Sequence, residues 1–374
     1  MLTKSGQFDI DSLVKEGFLR ASPRAHGGIH YHKSTKGKDS IIIDFSTNVN
    51  PLGSSPKVLS TVKKNIKLIS AYPDPDSKEL KNAIMEYIGI DKEHIVVSNG
   101  ANELIHLFAD AFVKKSDKVV IPMPTFFEYE FACDKNSGNI NYVELNNFAF
   151  DKESMMNAID KETKVVFICN PNNPSGMLAY RKDLESVLEH AYNNNALVML
   201  DECFIEFVEE PERDSFAKYV GKYENLVVLR TLTKAFGLAG LRVGYCLASK
   251  KISHLLNRAK VPWSVNALAQ KASVAALNDL EHLEKSRRLV RKEKKYLQDN
   301  ISTIKQFKAY RSDANFFLIK LTNIDSLSLQ ELLLKKRILV RDCSTFTGMG
   351  TDFVRVAPQK HDANVSLLNA LKEI

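Results

Sequence analysis

The 374 residues are enough for two domains, and 44% hydrophobic with 26% charged side chains is the balance of a water-soluble globular protein. No apolar run approaches the length of about 18 residues that a membrane-spanning helix needs, which excludes one. A net charge of +7 does not single out nucleic acid, because basic residues interleave with acidic ones, as between Arg287 and Lys295, a run expected to be a solvated helix face; the surplus equally suits small anionic substrates.

In chain order, Met1 to Glu16 is polar and mixed in charge, unlike a secretory signal. Five single cysteines (Cys133, Cys169, Cys203, Cys246 and Cys343) with no Cys-x-x-Cys suit a reducing compartment, so the expected location is cytoplasmic. Residues 1–43 lack strong periodicity and are expected to form an arm on a smaller lobe or a neighbouring subunit. A large domain is expected over 44–265. Its strand candidates are Ile95–Val97, Lys118–Ile121, Val165–Cys169, Ala196–Leu200, Leu226–Leu229 and Val243–Ala248, with helical patterns such as Asn102–Phe112 and Leu184–Tyr192 between them. Most of these strands are uniformly apolar, the signature of strands covered on both faces. The fold class is therefore α/β, a mostly parallel doubly wound sheet, with ligands expected at the carboxyl ends of its strands. A long helical pattern, Asn266 to Asp299, opens the remainder, 266–374, a smaller α+β domain. Strands are expected there at Asn315–Ile319, Ile338–Val340 and Val354–Ala357, with helices at Leu327–Lys335 and Asn364–Ile374.

Five motifs carry chemistry. Ser98-Asn99-Gly100-Ala101-Asn102 precedes a helix, whose first N–H groups make a phosphate cradle, although many α/β loops read this way. Phe126, in Pro124-Thr125-Phe126-Phe127-Glu128-Tyr129, is either a core aromatic or a ring for a flat ligand to stack on. Asn170-Pro171-Asn172-Asn173-Pro174-Ser175-Gly176 is a rigid turn, with Asn173 available as an amide donor or merely structural. Asp201 ends an apolar strand, where a buried carboxylate needs a cation; a helix cap or metal ligand is the alternative. Lys234 sits in Leu229-Arg230-Thr231-Leu232-Thr233-Lys234-Ala235-Phe236-Gly237-Leu238-Ala239-Gly240-Leu241-Arg242. A lysine in a partly dry pocket loses its proton readily and bonds covalently to a carbonyl. Thr231, Thr233 and Arg242 supply donors for a phosphate beside it. A carbonyl that carries a phosphate describes pyridoxal phosphate, and Asp201 would keep its pyridine nitrogen protonated.

With these five motifs in this order, residues 40 to 374 resemble the fold-type-I pyridoxal-phosphate enzymes, the aspartate-aminotransferase-like superfamily. The resemblance implies that Lys234 is the lysine joined to pyridoxal 5′-phosphate and that Asp201 pairs with the ring nitrogen. It implies that Asn173 meets the ring oxygen, that Phe126 covers the ring, and that Gly100, Ala101, Asn102, Thr231, Thr233 and Arg242 hold the phosphate. Tyr72, in Ala71-Tyr72-Pro73-Asp74-Pro75, matches a tyrosine lent to the partner subunit's phosphate site, which implies a homodimer. Two branches fit. Asp44-Phe45-Ser46-Thr47-Asn48-Val49-Asn50-Pro51-Leu52-Gly53 with His26-Gly27-Gly28, Val261-Pro262-Trp263-Ser264-Val265-Asn266, and Asp201-Glu202-Cys203-Phe204-Ile205-Glu206-Phe207 resemble threonine-phosphate decarboxylase of cobalamin biosynthesis. Histidinol-phosphate aminotransferase, using 2-oxoglutarate, is the alternative.

Aminotransferases of this group commonly carry tyrosine where this chain has Phe204, which cannot donate a hydrogen bond. Arg341 and Arg355 match the two substrate arginines of both branches, and which anionic end each takes stays open. His26 and Asn48 complete the substrate pocket by the same resemblance; read alone they are a polar arm and a turn residue. His26, His30 and His32 lack a carboxylate or cysteine at ligand spacing, so no metal is expected. A DNA-binding regulator on the same fold would need a winged helix that the first forty residues are too few to form, and no P-loop is present. The expected substrate is a small phosphorylated amino acid, threonine phosphate or its smaller serine analogue, with neither nucleic acid nor membrane as partner.

Overall fold

The computed structural model of the protein describes residues 9–24, 26–29 and 42–374. The chain passes through β1 (Ile43–Asp44) and then builds one large sheet from β2 (Ile95–Ser98), β3 (Lys118–Met123), β4 (Asn139–Glu144), β5 (Thr163–Cys169), β6 (Leu197–Asp201), β7 (Leu226–Thr231) and β8 (Gly244–Ala248). Their order across the sheet is β2-β8-β7-β6-β5-β3-β4, parallel except for β8, which runs against both neighbours.

The uniform hydrophobicity of these strands follows from what covers them. Alternate side chains go to opposite faces, Val165, Phe167, Met199 and Val227 into one core and Val166, Ile168, Val198 and Val228 into the other. The strand absent from the sequence reading, β4, explains itself the same way. It is the sheet's edge, its Asn139-Ile140-Asn141-Tyr142-Val143-Glu144 mixes polar with apolar residues, and most of them keep contact with water.

The smaller lobe holds β9 (Phe307–Ala309), β10 (Phe317–Leu321), β11 (Ile338–Leu339), β12 (Arg341–Asp342) and β13 (Phe353–Val356). Four of them form an antiparallel sheet in the order β12-β13-β10-β9, while β11 pairs with β1 in parallel. Ile43 to Phe45 therefore belong to this lobe: Phe45 N–H donates to Leu339 O at 2.8 Å, and its ring lies in the lobe's core. A domain division at 43/44 falls inside this two-residue strand, too short to leave a periodic signal.

The helical pattern from Asn266 to Asp299 is two helices, Ala267–Leu277 and Leu280–Ile301, parted at Asn278 and Asp279. Asn and Asp bond locally to backbone groups and favour such ends. The charged run on the second helix is not wholly solvated. Glu293 is buried, and Lys294 Nζ donates to Ser312 O and Ala314 O at 2.6 Å each. The described part of the N-terminal arm touches both lobes: Arg24 reaches Thr345 O and Thr347 Oγ1 of the smaller lobe, while the short helix Glu16–Arg20 lies on the large-domain helix Glu128–Lys135. There Gly17 has no room for a side chain against Asp134 O. Among the described residues no helix is long and apolar enough to cross a membrane.

Candidate active site

The parallel strands deliver their side chains to one end. Asp201 ends β6 between Cys169, which ends β5, and Leu229 on β7. Thr231 ends β7, and Lys234 follows three residues on. From the opposite direction, Arg242 precedes β8 in a left-handed conformation (φ 58°), which costs a non-glycine residue about 1–3 kcal/mol and marks a position fixed by its surroundings. Beside it, Gly100 caps the helix Ala101–Phe112 with φ 85°. That helix's first N–H groups have no intrahelical partner. Gly244 lets β8 pass beneath them, since a Cβ there would lie 2.5 Å from Ala101 N.

A cavity of about 470 Å³ opens at this end. Asn102, Phe126, Asn173, Asp201, Thr231 and Thr233 line it, as do Ala101, Lys234, Arg242, Arg341, Arg355, His26 and Asn48. The structure thus brings together every sequence-assigned site residue except two. Gly100 lies just beneath the Arg242 guanidinium. Tyr72 is 82% exposed, outside the cavity, with its ring 4.9 Å from that of Trp263. His30 and His32 lie outside the described residues.

Asp201 is buried, and its partners are neutral: Tyr129 Oη donates to Oδ2 at 2.6 Å and Cys203 N–H to Oδ1 at 2.9 Å. Burial raises its pKa against its hydrogen bonds and the nearby Lys234 ammonium, and no cation bonds it directly, so this carboxylate suits a cationic group of a ligand. Tyr129 was not assigned from sequence, although it lies in the Phe126 motif. Its ring stacks on Phe167 at 5.0 Å, which fixes the hydroxyl under Asp201. Replacing Tyr129 by Phe is expected to remove about 1–3 kcal/mol of that support. The loss should appear as weaker cofactor retention in an equilibrium titration, with the fold intact by circular dichroism.

Lys234 borders the cavity with Phe204, whose ring centroid is 5.9 Å from Nζ. Burial, and next the Arg355 guanidinium, lower its pKa to about 8. Above that pH the amine is neutral and nucleophilic. Acetic anhydride should therefore acylate Lys234 of the cofactor-free protein with half-maximal rate near pH 8, against about 10.4 for ordinary lysines. Mass spectrometry of the modified peptide reads the profile.

Thr231 and Thr233 hydroxyls lie 2.8 Å apart, alongside Arg242. Arg355 is buried, donates to Asn173 Oδ1 and, at 2.9 Å, to Ser46 O, and has no carboxylate within ion-pair distance among the described residues. Its Nε and Asn48 Oδ1 are buried without hydrogen-bond partners. Arg341 donates to Thr345 Oγ1 at 2.8 Å. Phe346 packs beneath both guanidinium groups.

These features fit pyridoxal 5′-phosphate. A buried carboxylate wanting a cation, an amine of lowered basicity and an anion cradle of helix N-terminus, hydroxyls and guanidinium share one cavity. Fold and site define a fold-type-I pyridoxal-phosphate enzyme, aspartate-aminotransferase-like.

The comparisons with known proteins agree. The profile of the family Aminotransferase class I and II matches residues 40–371, and the chain belongs to that family. It is 37% identical over 338 residues to histidinol-phosphate aminotransferase of Methanococcus aeolicus, covering 89% of this chain and 90% of that protein. It is also 37% identical over 361 residues to a protein of Caldanaerobacter subterraneus subsp. tengcongensis provisionally named threonine-phosphate decarboxylase, covering 96% of each. Solved structures of both kinds superpose. Histidinol-phosphate aminotransferase from Clostridium acetobutylicum has a TM-score of 0.84 at 32% identity, over 89% of this chain and 98% of that one. L-threonine-O-3-phosphate decarboxylase from Porphyromonas gingivalis has 0.78 at 25% identity, over 89% and 99%.

Proposed function

We propose that the protein decarboxylates L-threonine O-3-phosphate, releasing CO2 and (R)-1-aminopropan-2-yl phosphate, the linker of the cobalamin nucleotide loop. The observation that carries this reading is the company Lys234 keeps. His26 from the N-terminal arm, Asn48 and the two arginines Arg341 and Arg355 line the same cavity, a set suited to a small substrate with two anionic ends. Phe204, where aminotransferases commonly carry a hydroxyl donor, adds to the resemblance to the decarboxylase without itself choosing the reaction.

Of the residues lining the cavity, Asp201 would hold the proton on the ring nitrogen of the bound cofactor, Asn173 would offer its amide to the ring oxygen, and Phe126 would pack on the ring. Ala101, Asn102, Thr231, Thr233 and Arg242 hold the phosphate, with Gly100 giving the backbone its close approach. Bound there, the cofactor supplies an electron sink for the pair left at Cα when a bond to it breaks. Arg341 and Arg355 would fix the two anionic ends of the substrate, so that binding energy from the remote phosphate orients the groups on Cα. Lys234 Nζ, or a water beside it, would deliver the proton that Cα takes once its bond to the departing CO2 has broken.

Tyr72, exposed with its ring against Trp263, serves the partner's phosphate site in a homodimer. Substituting it by Phe should weaken cofactor retention without changing the two-chain mass in sedimentation. An effect on neither retention nor assembly contradicts this role.

The relatives named histidinol-phosphate aminotransferase favour a second reading, amino transfer from histidinol phosphate to 2-oxoglutarate. Incubation with threonine phosphate and measurement of CO2 separates the two. Release of CO2 without 2-oxoglutarate supports the decarboxylase. No CO2, together with glutamate-forming conversion of histidinol phosphate, refutes it. Serine phosphate, lacking one methyl group, should react more slowly by a margin of about 1–3 kcal/mol.

A further inference from the structure

One wall of the cavity comes from neither sheet. His26 belongs to the N-terminal arm, and its ring lies 4.9 Å from that of Phe127. His26 Nε2 is 3.0 Å from Glu128 Oε1, and the other oxygen, Oε2, is 3.0 Å from His106 Nε2. Lys135 Nζ approaches His106 Nδ1 at 3.4 Å. An ammonium only donates, so Nδ1 accepts, and His106 carries its proton on Nε2 and gives it to Glu128. Burial by itself would raise the Glu128 pKa. The hydrogen bonds from His106 and His26 outweigh it and hold the group down to about 2, so it is a carboxylate throughout the working range.

The same helix turn fastens the arm a second time. Arg24 Nη2 meets Glu130 Oε1 at 2.6 Å, and Arg24 Nη1 reaches Thr347 Oγ1 at 2.5 Å and Thr345 O at 3.2 Å in the smaller lobe. Thr347 Oγ1 in turn donates to Glu130 Oε2 at 2.6 Å. Arg24 thus anchors the arm two residues before His26, and the ring's direction is set by a carboxylate with a fixed donor behind it.

We propose that Glu128 is a positioning residue for substrate recognition: backed by His106, it accepts from His26 Nε2–H and fixes the ring so that Nδ1 meets the phosphoryl group of the phosphorylated substrate, donating to its oxygen from the doubly protonated ring. This rests on the reading of His26 as part of the substrate pocket. The role concerns binding, not the reacting atoms, and it applies to phosphorylated ligands and not to their unphosphorylated counterparts.

A double-mutant cycle tests it, with affinities for phosphothreonine, inorganic phosphate and threonine measured calorimetrically on the cofactor-loaded enzyme. Glu128→Gln keeps size and shape and should weaken the two phosphate ligands by about tenfold to a hundredfold, the worth of a charge-assisted hydrogen bond. Threonine itself should bind as before. In a His26→Ala background the same substitution should add less than about twofold, because its route of action is gone. Should Glu128→Gln not retain the cofactor, His106→Gln, at the far end of the chain of contacts, must show a smaller weakening that also vanishes without His26. A Glu128→Gln enzyme that binds phosphate ligands as tightly as the parent, or whose loss persists in full without His26, overturns the inference alone. A parent that binds neither phosphate ligand overturns the substrate reading and this inference with it.

Discussion

Substitution of Lys234 by alanine is expected to abolish the visible absorbance of the cofactor-loaded protein and to lower turnover on the order of 10⁴-fold or more, as removal of a covalent nucleophile does elsewhere. The expectation follows from position and environment together. Lys234 stands three residues beyond the end of β7, on the border of the cavity, and burial with Arg355 nearby brings its pKa to about 8. No second lysine lines that cavity among the described residues. Stopped assays for CO2 and a spectrum of the reconstituted variant read both effects; turnover within tenfold of the parent would contradict the assignment.

The second large effect is expected at Asp201. Asn in its place keeps the shape and can still accept the Cys203 N–H at its one carbonyl oxygen, while its amide NH2 faces Tyr129 Oη and can only donate to it; the negative charge is gone. Leaving a buried cation without its partner costs about 3–5 kcal/mol, which corresponds to a loss of roughly 10²- to 10⁴-fold in kcat/KM. The cofactor should still attach to Lys234, so absorbance persists while catalysis falls. That separation distinguishes Asp201→Asn from Lys234→Ala, and retention of parental kcat/KM contradicts the pairing of Asp201 with the ring nitrogen.

Much of this architecture was legible in the sequence because local signals and the fold agree. Uniformly apolar runs became strands covered on both faces, and the residues at their carboxyl ends met in one cavity. What was not legible depends on contacts between distant segments. Tyr129 and Glu128 lie in a motif that was noticed for Phe126, yet nothing local says that one hydroxyl supports Asp201 and the neighbouring carboxylate joins His26 to His106. The edge strand β4 alternates too weakly to register, and β1 is two residues long. Lys294 looked solvated because its own segment is charged; its partners are carbonyls that the chain reaches eighteen and twenty residues later.

The glycines show the same division. Gly100 reads as a loop residue, but its worth lies in a backbone turned to φ 85° under Arg242. Gly244 is conspicuous only once β8 is seen passing the helix N-terminus at a distance that excludes a side chain. Close approach between backbones is a property of the assembled fold, and sequence records it as a bare glycine.

Borohydride reduction of the cofactor-loaded protein, followed by proteolysis and peptide mass mapping, tests the central assignment most directly. The pyridoxyl label should be found on the peptide that contains Lys234. Label on another lysine, or none after reduction, contradicts the placement of the chemistry at the end of β7.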